Sequence, residues 1–251
     1  MQIQDWQLPP GVQALCTTRL GGVSLPPFDS LNLGDHVQDE PHHVTQNRDI
    51  LKQKLQGARP VFLKQVHGSD VLNLEPSTPD GATADACITP TPYLACTVMV
   101  ADCLPILFTD FKGAIVAAAH AGWRGLAHGV VENTVNTMCL KSGVLPSDIL
   151  VWLGPCIGPN AFEVGSEVRQ AFLQADETAS RCFKKHPDTQ GKYFADLPML
   201  ARERLRRLGV LSIAGNDSSD AWCTVQQASR YFSYRRDGVT GRFAACIWRT
   251  A

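Results

Sequence analysis

Apolar positions along the chain alternate between short β-like runs and longer stretches of helical spacing. Val12–Thr18, Val61–Val66, Leu94–Ala101, Pro105–Thr109, Ala114–Ala119, Leu150–Leu153 and Phe243–Trp248 are brief and rich in Val, Ile, Leu, Ala or aromatic residues, so they predict strands. Between them, Val44, Arg48, Leu51 and Leu55 share one face of a helix expected over 42–56. The longest apolar stripe runs through Leu126, Val130, Val131, Thr134, Val135 and Met138, which predicts a helix over 124–139. Two further helices are expected over 165–176 and 196–208. Arg19–Val37, rich in Gly, Pro, Ser and Asn, reads as a long loop, and loops of this length are often functional. Strands and helices mix without strict alternation. The prediction is an α/β (α+β) fold, a single layered domain over residues 1–251 with a mixed β-sheet covered by helices.

Composition narrows the function classes. The 251 residues are 44% hydrophobic and 19% charged, and 20 glycines and 16 prolines fall well below the level of disordered chains. A net charge of −1 disfavours nucleic acid as the main partner. The longest uncharged stretch, Ala86–Ala101, holds prolines and is too short to span a membrane. The start, MQIQDWQLPPG, lacks a basic segment followed by an apolar one, so no signal peptide and a cytoplasmic location are expected. Nine cysteines without a CxxC read mostly as small buried hydrophobes in a reducing compartment.

Candidate chemistry concentrates at His67, Cys103 and His120, each just after an apolar β-like run. Strand ends can converge at one edge of a sheet, where ligand sites are common. Two imidazoles and a thiolate suit Zn²⁺, and three ligands leave a fourth position open, as in catalytic sites. The spacing alone fits equally a buried thiol and two hydrogen-bonded histidines. After His120, Gly122-Trp123-Arg124-Gly125 opens a helix, an arrangement that suits an anion or serves as a plain turn. Arg48, on an apolar helix face, either forms a structural ion pair or faces a polar cavity where its guanidinium could take phosphate. His36 lies in the long loop, where nothing specifies a role.

The segments TTRLGGVS (17–24), SLNLGDHV (30–37), NR (47–48), KQVHG (64–68), ADCLPILF (101–108), HAGWRG (120–125), LGPCIGPNAFEVG (153–165) and YFSYRRDGVTGR (231–242) span nearly the whole chain. In that order they resemble the laccase-domain (YfiH-like) proteins, once called multicopper polyphenol oxidases and described as purine nucleoside phosphorylases. The resemblance implies a three-layer domain similar to bacterial toxin deamidases, with His67, Cys103 and His120 as catalytic zinc ligands. It implies phosphorolysis of adenosine, inosine, guanosine and 5′-methylthioadenosine, with adenosine deamination, and links bacterial members to peptidoglycan-precursor editing.

Seven histidines without a His-x-His argue against a multicopper cluster, although Cu²⁺ could occupy one His/Cys site in vitro. HExxH, Walker A and G-x-S-x-G are absent, as is the H-x-E…P-C-x-x-C deaminase signature. The leading expectation is a zinc-assisted phosphorylase. In it Arg48, with Arg124 or Arg19, neutralises phosphate, and the loop over 19–37 covers the nucleoside through Asn32. A cysteine hydrolase, with Cys103 as nucleophile, His120 as base and His67 assisting, explains the same three residues without metal. A nucleotide- or metal-sensing module ranks third. The expected partners are purine nucleosides and phosphate, in a monomer or weak homodimer. Arg235 and Arg236, in FSYRRDG, could serve either the fold or the site.

Overall fold

The computed structural model describes residue 3 and residues 6–250. Residues 1, 2, 4 and 5, on which the leader expectation partly rests, and residue 251 lie outside the described residues. The strands are β1 (Val12–Cys16), β2 (Arg59–Phe62), β3 (Val71–Asn73), β4 (Ala86–Thr89), β5 (Leu94–Val100), β6 (Leu104–Asp110), β7 (Val116–Ala121), β8 (Ile149–Leu153), β9 (Glu163–Gly165), β10 (Phe183–Lys185), β11 (Lys192–Ala195), β12 (Ser212–Gly215) and β13 (Phe243–Arg249). The α-helices are α1 (Pro41–Lys54), α2 (Trp123–Ala127), α3 (Val130–Ser142), α4 (Ser166–Leu173), α5 (Leu197–Arg207) and the short α6 (Tyr234–Asp237).

Two mixed sheets carry the core. One has four strands in the order β1-β13-β5-β2, the other six in the order β12-β8-β6-β7-β4-β3. A small antiparallel sheet, β10-β11-β9, flanks them. The sheets face each other: Val12, Ala14, Cys96, Val98, Phe243 and Ala245 of the first pack with Cys87, Leu107, Val116, Ala118 and Trp152 of the second. The alternate residues of the four-stranded sheet, Ala95, Met99, Ala244, Cys246 and Trp248, pack with Leu51 of α1. The alternate residues of the six-stranded sheet, among them Ile106, Phe108, Ala117 and Ala119, pack with α3, α4 and α5. The order is therefore helix, sheet, sheet, helix. A second sheet lies where the resemblance implied three layers. Strands buried on both faces read as continuous apolar runs, which is how β5 and β7 look in the sequence.

Three elements depart from expectation for local reasons. The helix expected over 124–139 is two helices, because Gly129 adopts φ +90° and breaks it after α2. The carbonyl freed at Ala127 accepts from Arg204 Nη2 at 3.4 Å, and Arg204 also pairs with Glu132 at 2.7 Å. The strand expected over 61–66 ends at Phe62, because the segment beyond it wraps a buried carboxylate. The pairing of β4, the β9–β11 sheet and β12 had no periodic signal long enough to read.

Candidate active site

β5 ends the four-stranded sheet's central run and β6 begins in the other sheet, so Cys103 sits where the chain crosses between them. β6 and β7 pair with Leu104 opposite Ala121 and Pro105 opposite His120, which brings the start of one strand to the end of the other. His67 arrives from the loop after β2. Cys103 Sγ lies 3.7 Å from His67 Nε2, and the two imidazole centroids are 4.8 Å apart, nearly edge-on. His120 is buried, Cys103 half-buried and His67 exposed. The site thus opens on the His67 side.

The buried Asp85 organises this edge. Its carboxylate accepts backbone N–H bonds from Val66 (3.1 Å), His67 (2.9 Å) and Gly68 (2.6 Å), and it meets His120 Nδ1 at 2.8 Å. Successive N–H groups converging on an anion form a nest, which accounts for the left-handed φ of +60° at His67. With Nδ1 facing Asp85, His120 presents Nε2 to the site. Burial opposes ionisation of Cys103, but His120 and His67 more than offset it and bring the thiol down to about 6. Burial likewise disfavours the His120 cation, yet Cys103 and Asp85 raise it to about 9.

The donor set suits a soft or borderline ion. The ligand atoms of His67, Cys103 and His120 lie within 4.8 Å of one another. A tetrahedral zinc ion would separate a nitrogen and a sulfur ligand by roughly 3.6 Å, close to the 3.7 Å found. The carboxylate behind His120 is the usual support of a metal-bound imidazole. The residues therefore fit the ion that the resemblance implies.

A cavity of about 390 Å³ opens over His67, Cys103 and His120, within the size range of small-molecule sites. Its apolar wall includes Met99, Ile157, Phe162 and Tyr234, and its lining arginines are Arg235 and Arg242. Asp102 lies in the wall with φ +90°, its carboxylate occupied by Thr224 Oγ1 and the Arg235 backbone N–H, each at 2.6 Å.

The family model described as "Multi-copper polyphenol oxidoreductase laccase" matches residues 13–250. The chain belongs to this family. Within this laccase family it is 51% identical to proteins named purine nucleoside phosphorylase YfiH from Shigella flexneri and Escherichia coli, over 98% of this chain and 97% of each relative. A crystal structure of the Neisseria meningitidis protein NMB0706 superposes with a TM-score of 0.93 at 44% identity, covering 100% of this chain and 99% of that one. YlmD from Geobacillus stearothermophilus gives a TM-score of 0.85 at 30% identity, covering 100% of this chain and 98% of that one.

In this laccase-family chain the three expected ligands come together, while the other four expected residues stand back from the cavity lining. Arg48 stacks over Phe62, donates from Nε to the Leu33 carbonyl at 3.0 Å and meets Asp35 at 3.1 Å. Asp35 also contacts His36 at 3.5 Å, and His36 does line the cavity, so Arg48 braces a segment of the rim. Arg19 bridges Asp29 and the Ala228 carbonyl, and Arg124 covers the Trp123 ring. Asn32 is fully buried and bonds the Gly34 backbone, Asp39 and the Arg242 N–H. Arg236 is tied to the carbonyls of Thr224 and Tyr231 and to Asp237. Sequence reasoning missed Asp85, Asp102 and Arg242. A lone acid inside the apolar stretch ATADACIT was the signal for Asp85.

Proposed function

We propose that this chain is a zinc-dependent purine nucleoside phosphorylase that splits adenosine, inosine, guanosine and 5′-methylthioadenosine, with adenosine deamination as a second activity. The observation that carries the reading is the open two-histidine, one-cysteine cluster on the floor of a cavity with an aromatic wall and lining arginines. Relatives named purine nucleoside phosphorylase support the phosphorolytic part of this reading.

His67, Cys103 and His120 would hold the ion, which when bound supplies Lewis-acid polarisation. Asp85 keeps the His120 Nδ1 proton in place and fixes the ring's orientation. Phe162 and Tyr234 offer aromatic surface to a purine, and Met99 and Ile157 exclude water beside them. In phosphorolysis the C1′–N9 bond breaks, a phosphate oxygen bonds to C1′, and the purine leaves with the electron pair and takes up one proton. The products are free base and ribose 1-phosphate, or 5-methylthioribose 1-phosphate from 5′-methylthioadenosine. The test is adenosine turnover by metal-assayed protein with and without phosphate. Phosphate-dependent adenine and ribose 1-phosphate, lost in His67→Ala and His120→Ala, support the reading; zinc-loaded protein that leaves nucleosides intact ends it.

One observation favours a second reading. Cys103, whose thiol the neighbouring imidazoles bring down to about 6, is followed by His120 and by Asp85 at 2.8 Å from His120 Nδ1, the order of groups in a cysteine hydrolase. An amide of a cell-wall precursor is then the substrate class. Full activity after chelation, abolished by alkylating Cys103, would favour it over the phosphorylase.

A further inference from the structure

We infer that Arg242, the residue just before β13, is the group that binds inorganic phosphate in this cavity. The inference rests on the phosphorylase reading for its ligand and on the following contacts for its place.

Arg242 lines the cavity beside Asp102 and Cys103. Its Nη1 is anchored by the carbonyls of Thr240 and Gly241, both at 3.0 Å. Among the described residues no hydrogen bond or ion pair occupies its Nε or Nη2. Arg242 is half-buried in the cavity wall. Among the described residues Asp102 forms no ion pair with Arg242; its oxygens accept from Thr224 Oγ1 and the Arg235 N–H. The result is a charged fork with two adjacent donors free, the geometry that matches a phosphate edge.

The surrounding loop is built to hold that fork. Asn32 Oδ1 accepts the Arg242 N–H at 2.8 Å, and the Leu33 N–H donates to the Arg242 carbonyl at 3.0 Å. A Cβ at Gly34 would stand 2.8 Å from Arg242 Cγ, so the glycine leaves room for the side chain to pass. Arg235 is the other arginine on the cavity wall; among the described residues its side chain too is bonded only through Nη1, and its guanidinium sits 5.5 Å over the Phe162 ring. Arg235 donates from Nη1 to the carbonyls of Ala161 (3.3 Å) and Glu163 (3.0 Å) and lies at the exposed rim. Arg48, Arg19 and Arg124 carry the contacts already described.

The test uses zinc-loaded, full-length protein as wild type, Arg242→Ala, Arg242→Lys and Arg235→Ala. Phosphate binding is followed directly by phosphorus NMR titration, and the phosphate and adenosine KM values are measured in parallel. Arg242→Ala should weaken phosphate binding and raise its KM by at least about tenfold, because charge-assisted bonds are lost. The adenosine KM should stay within about twofold. Arg242→Lys, which keeps the charge and the strand but not the fork, should fall between, and it covers the case in which the alanine variant does not fold. Unchanged phosphate affinity in both Arg242 variants overturns the inference, as does a loss that follows Arg235 instead. Phosphate-dependent turnover with that result leaves the phosphorylase standing. Arg242-dependent phosphate binding without nucleoside turnover ends the phosphorylase reading and keeps the phosphate site. Wild type that binds no phosphate ends both.

Discussion

Asp85 meets His120 Nδ1 at 2.8 Å while the same carboxylate collects the backbone N–H groups of Val66, His67 and Gly68. One buried acid therefore sets the tautomer of one expected ligand and the backbone of another. Asp85→Asn keeps the volume but removes the charge, so zinc affinity should drop by about 10–100-fold. Competition with a chelator reads this directly. Wild-type affinity in the variant would show that the nest forms without Asp85.

Cys103 differs from the other cysteines in its surroundings. Burial opposes its ionisation, but the two imidazoles bring the thiol down to about 6, whereas burial pushes Cys16, Cys182 and Cys246 up to about 12. In metal-free protein, alkylation by iodoacetamide should rise with pH through a midpoint near 6 and then level off, because the thiolate reacts and predominates above that pH. Mass spectrometry should find Cys103 modified first, and added zinc should protect it. A midpoint near 9 would mean that the imidazoles do not stabilise the thiolate.

The clustering of His67, Cys103 and His120 was legible because each follows an apolar run and sits in a recognisable motif. Strands β5, β6, β7 and β13 were legible for a related reason: burial on both faces leaves an unbroken apolar stretch. Asp85 and Arg242 were not, since their roles arise from contacts distant in sequence. Asp85 reaches His120 across 35 positions, and Arg242 leans on Asn32 across 210. Arg48 was visible as an odd residue on an apolar face, but its partners Asp35, Leu33 and Phe62 come from the folded loop and β2. The second sheet was hidden because short runs do not announce which face meets which layer.

Ala118 of β7 lies between the two sheets with no exposed surface, opposite Cys87 on one side and Leu107 on the other. A larger side chain has no space there without separating the sheets. Ala118→Leu should cost about 1–3 kcal/mol of stability, read as a lower urea midpoint. Leu140→Ser, at an exposed position of α3, should stay within about 0.5 kcal/mol of wild type. Equal midpoints for all three proteins would show that the sheets do not pack as described.

Gly122 separates the cluster of His67, Cys103 and His120 from the start of α2 by a side chain's absence. A Cβ there would stand 2.7 Å from His67 Cδ2 and 3.0 Å from Cys103 Sγ. Its φ of −67° is open to alanine, so Gly122→Ala introduces a clash without backbone strain. His67 is the exposed member of the cluster and can swing outward, while Cys103 is half-buried next to β6 and the buried His120 is held in β7. The fold should therefore absorb the change by opening the site. The expected result is a melting temperature close to wild type in the metal-free proteins, with zinc affinity reduced at least about tenfold. Turnover of adenosine should fall in step, and excess zinc should restore part of it. Undiminished zinc affinity would mean that His67 is not a ligand, because it is the ring that must move.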